Sequence, residues 1–248
     1  MTARADEAGN SSAQAEAISE THTSLPRKTT LSFKPSYTFP NGGDRYTAEL
    51  QFESVLPYHG FSIPDLNVPG FWSIARLQLS AMSRETDGAP ASGLGDLTLA
   101  DLVAHRLGPL NVALGFATIF PMATSTPLGH GKWQLGPAIG IRVLPRSVVH
   151  VSMLVQNFYS VAGSSESPTL AYVSLQPFIT VDLPEDFFLS TDATMYFYWA
   201  GGQSTVPVDL GFGRAFSARF VGSLRGWYTL AATDKGDFKV QAVLAFLP

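Results

Sequence analysis

The 248-residue chain has no cysteine, which rules out disulfides and thiolate metal sites. It is also short of charge: Asp, Glu, Lys and Arg make up 15% of it, against roughly 25% in an ordinary soluble domain. Low charge suggests a membrane, yet no run approaches the ~18 consecutive apolar residues of a spanning helix. The net charge of −4 gives no reason to expect a nucleic-acid partner. Large apolar residues are nearly missing from 1–28, a stretch rich in Ala, Ser, Thr and Glu that cannot build a core.

What the chain does have is alternation. In 110–120 one parity carries Leu110, Val112, Leu114, Phe116 and Phe120. In 132–143 one parity carries Trp133, Leu135, Ile139, Ile141 and Val143, and the other Lys132, Gln134, Gly136, Ala138, Gly140 and Arg142. Period two means strand. Alternation spreads apolar residues over many strands, which reconciles low charge with the lack of long apolar runs. The fold class is therefore all-β, a transmembrane up-and-down antiparallel β-barrel of about twelve strands. The strands fall near 29–39, 45–55, 71–84, 94–106, 110–120, 132–144, 148–160, 169–183, 187–199, 205–214, 218–230 and 238–247.

Connections alternate in kind. Tight turns are expected at 107–109, 145–146, 184–186 and 216–217, and polar, Gly-rich loops at 41–44, 85–91, 123–130, 162–168, 201–204 and 232–236. An even strand count then puts both termini on the tight-turn side, the periplasmic side of such barrels. The exception is 57–69, long and partly apolar, expected to fold back over the barrel mouth. Two domains result: a disordered N-terminal tail over 1–28 and a barrel over 29–248. The tail lacks the apolar core of an export signal. The expectation is that the signal was removed or that the start lies elsewhere, with the tail hanging in the periplasm or partly plugging the lumen.

Parity assigns the faces. Tyr46, Ala48, Leu50 and Phe52 go to lipid, with Thr47, Glu49, Gln51 and Glu53 to the lumen. Val173, Leu175, Ile179 and Val181 go out, Ser174, Gln176, Thr180 and Asp182 in. Ser190, Asp192, Thr194 and Tyr196 point inward. Val240, Ala242, Leu244 and Phe246 point outward, Lys239 and Gln241 inward. Asp101 breaks the rule by sharing parity with Leu97, Leu99 and Val103, so a bulge or an interfacial position is expected there. Aromatic pairs near strand ends (Tyr37 and Phe39, Phe71 and Trp72, Phe187 and Phe188, Phe197 to Trp199, Trp227 and Tyr228) suit two interfacial girdles.

Two stretches resemble known signals. Gly93-Leu94-Gly95-Asp96-Leu97, Phe120-Pro121 and Gly129-His130-Gly131-Lys132-Trp133-Gln134-Leu135-Gly136-Pro137 resemble the outer-membrane barrels of the MetA phenol-degradation pathway family, regarded as transporters. The likeness covers about fifty residues. It implies a Gram-negative outer-membrane barrel that handles a small hydrophobic or aromatic compound. The C-terminus resembles the assembly signal of outer-membrane proteins in Lys239, Leu244 and Phe246, departing at Gln241 and Pro248. The implied partners are outer-membrane lipids, the barrel-assembly machinery and a small-molecule solute.

The candidate pathway residues are the inward charges Glu49, Arg76, Asp96, Lys132, Arg142, Asp192 and Arg225, with Arg76, Arg142 and Arg225 at the narrowest section. Their mixed signs fit either an ion-pair network that stiffens the barrel or a polar path. His150 and Ser152, two apart on one inward face, resemble the His–Ser pair of outer-membrane phospholipases, which supplies base and nucleophile. The Asn-Gly stretch of those enzymes is missing, because Met153-Leu154 follows, so a lipid hydrolase is the competing reading and no catalytic residue is assigned. The glycines form no phosphate loop, the histidines are too scattered for a metal, and no cofactor is expected. The reading is a non-enzymatic passive channel. A structural barrel without transport and a soluble β-sandwich compete with it as well.

Overall fold

The structure, a computed structural model, describes residues 2–41, 46–58, 71–86, 89–143, 148–231 and 236–248. The expectations for the turn at 145–146, for 59–69 of the long connection and for the centres of the loops at 41–44, 85–91 and 232–236 lie outside the described residues.

A helix, α1 (Thr2–Thr21), precedes the strands β1 (Thr30–Phe39), β2 (Thr47–Tyr58), β3 (Phe71–Thr86), β4 (Ala89–Leu94), β5 (Leu97–Leu107), β6 (Leu110–Phe120) and β7 (Lys132–Val143). They continue as β8 (Val149–Gly163), β9 (Ala171–Asp182), β10 (Phe187–Thr191), β11 (Met195–Ala200), β12 (Val206–Ser217), β13 (Phe220–Ala231) and β14 (Phe238–Phe246). Each neighbour pair is antiparallel, and β1 pairs with β14, so the sheet closes on itself. Closure leaves no edge for lipid to face, as a spanning sheet requires.

The fourteen segments make twelve staves. β4 and β5 are one stave, both pieces pairing with β3 across a register slip at Gly95-Asp96. β10 and β11 are another, interrupted at Asp192–Thr194. The registers Thr191↔Ile179 and Met195↔Leu175 put Pro177 opposite Ala193. The registers Ser190↔Gly211 and Tyr196↔Thr205 put Pro207 opposite Thr194. Proline has no N–H to give a ladder, so a proline on each flank unzips this stave locally. The Asp209 carboxylate takes the orphaned groups instead, accepting from the Asp192 N–H at 3.1 Å, the Ala193 N–H at 2.9 Å and the Thr191 hydroxyl. Gln176 donates to the Asp192 carbonyl at 3.1 Å.

The outer wall is apolar where water would forbid it. Leu114, Leu210 and Leu224 are 61%, 62% and 61% exposed, which fits hydrocarbon rather than water around them. Leu50, Ile179, Leu244 and Phe246 are exposed too, as parity predicts, whereas Glu53, Ser174, Thr180, Ser190 and Gln241 are buried. Replacing Leu114 by Arg near mid-stave sets a charge in hydrocarbon at a cost of roughly 2–4 kcal/mol. Urea unfolding from lipid vesicles reads that loss, and equal stability of the variant and the parent would reverse the outward assignment.

Three expectations are corrected. Of the bulge or interfacial position expected at Asp101, the bulge is not formed: register runs unbroken through Ala75↔Asp101 and Asp101↔Phe116, and the Tyr58 hydroxyl donates to the carboxylate at 2.6 Å. The girdles are thinner than predicted, because four of their aromatics, Trp72, Phe188, Tyr198 and Trp227, face inward. Tyr37, Phe39, Phe197, Trp199 and Tyr228 are exposed on the outer wall, but Trp72 and Phe188 are buried inside and Trp227 lines the lumen. Adjacent residues of one strand point to opposite faces, so a pair of neighbouring aromatics cannot both meet lipid. The stretch 1–28, expected to be disordered, is helical over Thr2–Thr21, and most of 14–26 is buried.

Candidate functional site

The half of the lumen on the side of the chain termini is filled by the chain's own N-terminal segment. Ala17 and Ile18, on the last turns of α1, pack on Phe188, Ala215, Val221, Ala245 and Leu247 of the surrounding wall. The chain then turns inward, and Leu25 enters an apolar cluster with Ile74, Leu102, Ala113 and Leu154. Gly140 makes room for it: a Cβ there would stand 2.7 Å from Leu25 Cδ2. Fully burying side chains of this kind contributes about 1.5–3 kcal/mol each.

Polar contacts fix the segment's angle. Arg142 donates to Glu20 Oε1 at 2.9 Å, to Ser19 Oγ at 2.6 Å and to the Leu25 carbonyl at 3.1 Å. Glu20 Oε2 accepts the backbone N–H groups of Arg27 and Lys28. The Ser24 N–H donates to Ser152 Oγ at 3.0 Å, and the Arg27 guanidinium lies 4.8 Å over Trp72.

His22 is the one histidine of this plug. It is buried against the Phe188 ring at 4.7 Å. Burial first, and then the Arg225 guanidinium, push its imidazole down to about 3 from the usual 6.5, against a raising contact with the Ile18 carbonyl; Lys34 and His150 push the same way as Arg225. The seated plug thus holds His22 neutral. Seating is fully favoured above pH 6.5 and is lost progressively as the pH falls from 6.5 towards 3, because the unseated form binds the extra proton. At pH 5 the loss is roughly 2 kcal/mol. Protease access to residues 12–28 should rise between pH 7.5 and 5, and His22→Phe should remove the rise. A rise that persists in the variant assigns the sensitivity to another group.

Above the plug the lumen opens into a vestibule of about 480 Å³. Its floor is a mesh of ion pairs. Glu53 bridges Lys34 and Arg76, the latter at 2.7 Å. Arg225, 1% exposed, contacts Asp192, sits 3.3 Å from Asp209 and donates to Ser190 at 3.0 Å. Below the floor a crevice of about 20 Å³ leads on among the described residues, between Thr21, Thr23 and Pro26 of the plug and Thr30, Val55 and Phe178 of the wall. Higher up, Glu49 pairs with Lys239 at 3.2 Å and accepts from Ser80 at 2.5 Å.

The vestibule wall is asymmetric. β1, β2, β3 and β14 supply the charges other than Asp192, which sits at the break in the β10–β11 stave, and glutamines line both sides. β2 lies six staves from β9, and β3 six from the β10–β11 stave, so they face each other across a twelve-stave ring. That opposite side is aromatic: Phe158, Tyr172 and Tyr196 line the cavity, with Tyr198 stacked behind Tyr172 at 4.8 Å. Between the two, β5 and β6 present Ala100 and Ile119.

The predicted pathway residues therefore separate. Glu49, Arg76 and Asp192 line the vestibule, and Arg225 lies buried beneath it. Arg142 is under the plug and holds it. Asp96 is at the loop end of the barrel, where its carboxylate accepts the Ala123 N–H at 3.2 Å and the His130 N–H at 2.7 Å and so ties down the loop after β6. Lys132 opens β7 opposite Gly163 and is not among the residues lining the vestibule. Tyr172, which sequence reasoning passed over, shares parity with the inward Ser174 and Gln176, and that parity is the signal that finds it.

His150 and Ser152 both face inward, beneath the plug. His150 Nε2 meets Asp182 at 2.7 Å, but its Nδ1 has no partner among the described residues, and Ser152 is engaged by Ser24. No His–Ser hydrogen bond joins them, and neither side chain reaches the lipid face.

No protein-family model matches the chain, and no curated protein matches it by sequence. Solved structures match its fold. The COG4313 outer membrane channel from Pseudomonas putida F1 superposes with a TM-score of 0.67 at 13% identity, over 92% of this chain and 98% of that one. The NanC porin gives 0.60 at 11% identity, over 88% and 100%. Outer membrane phospholipase A from Escherichia coli gives 0.53 at 12% identity, over 94% and 97%. At these identities the likeness establishes the shared fold: a closed antiparallel β-barrel of twelve staves, of the outer-membrane type.

Proposed function

We propose that this chain is a passive channel of the bacterial outer membrane for a small molecule, as the MetA-pathway resemblance implies. The observation that carries the reading is the vestibule, continuous through Lys34, Glu53, Arg76 and Asp192 with the crevice along the plug. A structural barrel needs no such cavity above a removable segment. The finer reading, an aromatic solute, is supported by the wall of Phe158, Tyr172 and Tyr196, because aromatic faces prefer offset or edge-on contact with other rings. The names of the channel and porin that share the fold support the passive-channel reading, not the identity of the solute. The hydrolase reading is disfavoured, since a lipid substrate has no route to a serine that is inside the barrel and engaged by the plug.

Swelling of vesicles that carry the purified barrel tests the proposal. Small neutral solutes should enter faster than in empty vesicles, with phospholipid content unchanged. Swelling at the empty-vesicle rate would reject the channel, and release of fatty acid that His150→Ala abolishes would reinstate the hydrolase.

A further inference from the structure

Most charges of the vestibule are already engaged with one another; Arg84, which also lines it, donates to the Pro127 carbonyl at 3.3 Å. Lys34, Glu53 and Arg76 bind one another, as do Glu49 and Lys239, and Asp192 meets Arg225. A charged solute would have to break one of these pairs and leave its partner uncompensated in a confined space. Apart from Arg84, the groups left over are neutral. Gln51 on β2, Gln78 on β3 and Gln156 on β8 all line the cavity, and among the described residues none of their side-chain amides has a hydrogen-bond partner. The hydroxyls of Tyr172 and Tyr196 likewise have none. Each amide offers two donors and a two-lone-pair acceptor.

From this we infer that the vestibule is a binding site for an uncharged six-membered ring bearing two or more hydroxyl groups, held edge-on to the tyrosine wall with its hydroxyl edge turned to Gln51 and Gln78. Strand order puts those two glutamines on the staves directly across from Tyr172 and Tyr196. A ring bound there meets π-faces on one side and amides on the other. One hydroxyl would satisfy one amide and strip water from the second without replacement, which costs more than the contact returns. Two or more hydroxyls engage both. The cavity is within the range of small-molecule sites. Sugars and dihydroxybenzenes share this chemistry, so each is a separate arm of the test.

The inference rests on the channel reading for its biological meaning, but binding is measured without transport. Saturation-transfer NMR on the full-length barrel in detergent micelles uses glucose, resorcinol, phenol and the charged 3,5-dihydroxybenzoate as probes. Either glucose or resorcinol, or both, should show saturable transfer at millimolar concentration. Phenol and the benzoate should bind at least fivefold more weakly. Gln51→Leu combined with Gln78→Leu should weaken the binding probe fivefold or more, and Gln51→Glu, nearly equal in size, should weaken it as well. Heat-modifiable gel migration confirms that each variant is a folded barrel. Glucose binding alone assigns a saccharide, and resorcinol binding alone an aromatic diol. Equal binding of the benzoate, equal binding of phenol, no saturable transfer from either diol-bearing probe, or undiminished binding to a folded double variant each overturns the site. A barrel that swells vesicles yet binds no ring loses this inference and keeps its channel; one that binds a ring and passes nothing loses the channel and keeps the site.

Discussion

Removal of residues 1–28 should raise single-channel conductance severalfold and leave the barrel wall closed. The wall does not need the segment to close, because the closing ladder pairs Leu31 with Phe246 and runs on to Phe39 and Phe238. The passage does depend on it. With the segment seated, the route below the floor narrows to a crevice of about 20 Å³, room for about one water. With it gone, the seats of Ile18, His22 and Leu25 become open lumen. A covalent variant makes the test sharper. The Ser24 N–H lies 3.0 Å from Ser152 Oγ, and the native chain has no cysteine to mispair. Ser24→Cys with Ser152→Cys should therefore pin the plug when oxidised. Conductance of the pinned barrel should stay low at pH 5, where protonation of His22 weakens seating in the parent, and should rise on reduction. If the truncated, folded barrel conducts no better than the parent, the segment is not what limits flow, and the mesh at Lys34, Glu53 and Arg76 must be.

The barrel was legible in the chain because each face of most staves repeats one property. Leu50 and Phe52 out, Gln51 and Glu53 in, is a statement about a single strand that needs no knowledge of its neighbours. The same logic misleads where a face is mixed. On β5 the inward residues are Ala100, Leu102 and Ala104, as apolar as the outward Leu97, Leu99 and Val103, so alternation fades and Asp101 reads as the mark of a bulge. Its partner is Tyr58, a residue 43 positions away, which no local pattern reveals. The plug was harder still. Its anchors, Ile18 and Leu25, are isolated large apolar residues in a polar stretch, and composition rightly says that such a stretch cannot make a core of its own. It borrows one from the inner faces of a barrel, including the space left by Gly140. The site divides the same way. Parity alone brings Glu49, Arg76 and Asp192 inward, but height along the stave decides whether an inward charge lines the vestibule, grips the plug as Arg142 does, or ties a loop as Asp96 does. Height follows from register, and register is a property of strand pairs.

The largest loss of stability is expected at Asp209. Its side chain is fully buried, and one carboxylate carries two duties. It replaces the ladder that Pro177 and Pro207 remove, by accepting from the N–H groups of Asp192 and Ala193 and from the Thr191 hydroxyl. It also stands beside Arg225, itself 1% exposed. Asp209→Ala strands two backbone donors and leaves a buried guanidinium one partner short. Breaking a buried pair from one side costs about 3–5 kcal/mol, and each unsatisfied buried donor adds about 1–3 kcal/mol. Asp209→Asn separates the duties, because the amide oxygen can still accept from the backbone while its charge is gone. Its loss should be the smaller of the two. Adding Arg225→Met to Asp209→Asn should recover part of that loss, since an apolar side chain of similar length removes the uncompensated cation. Urea unfolding from vesicles measures all three. If Asp209→Ala costs no more than an ordinary surface change, about 0.5 kcal/mol, the broken stave is held by its neighbours instead of by this carboxylate. In that case Gln176, which caps the Asp192 carbonyl from the other flank, becomes the residue to replace.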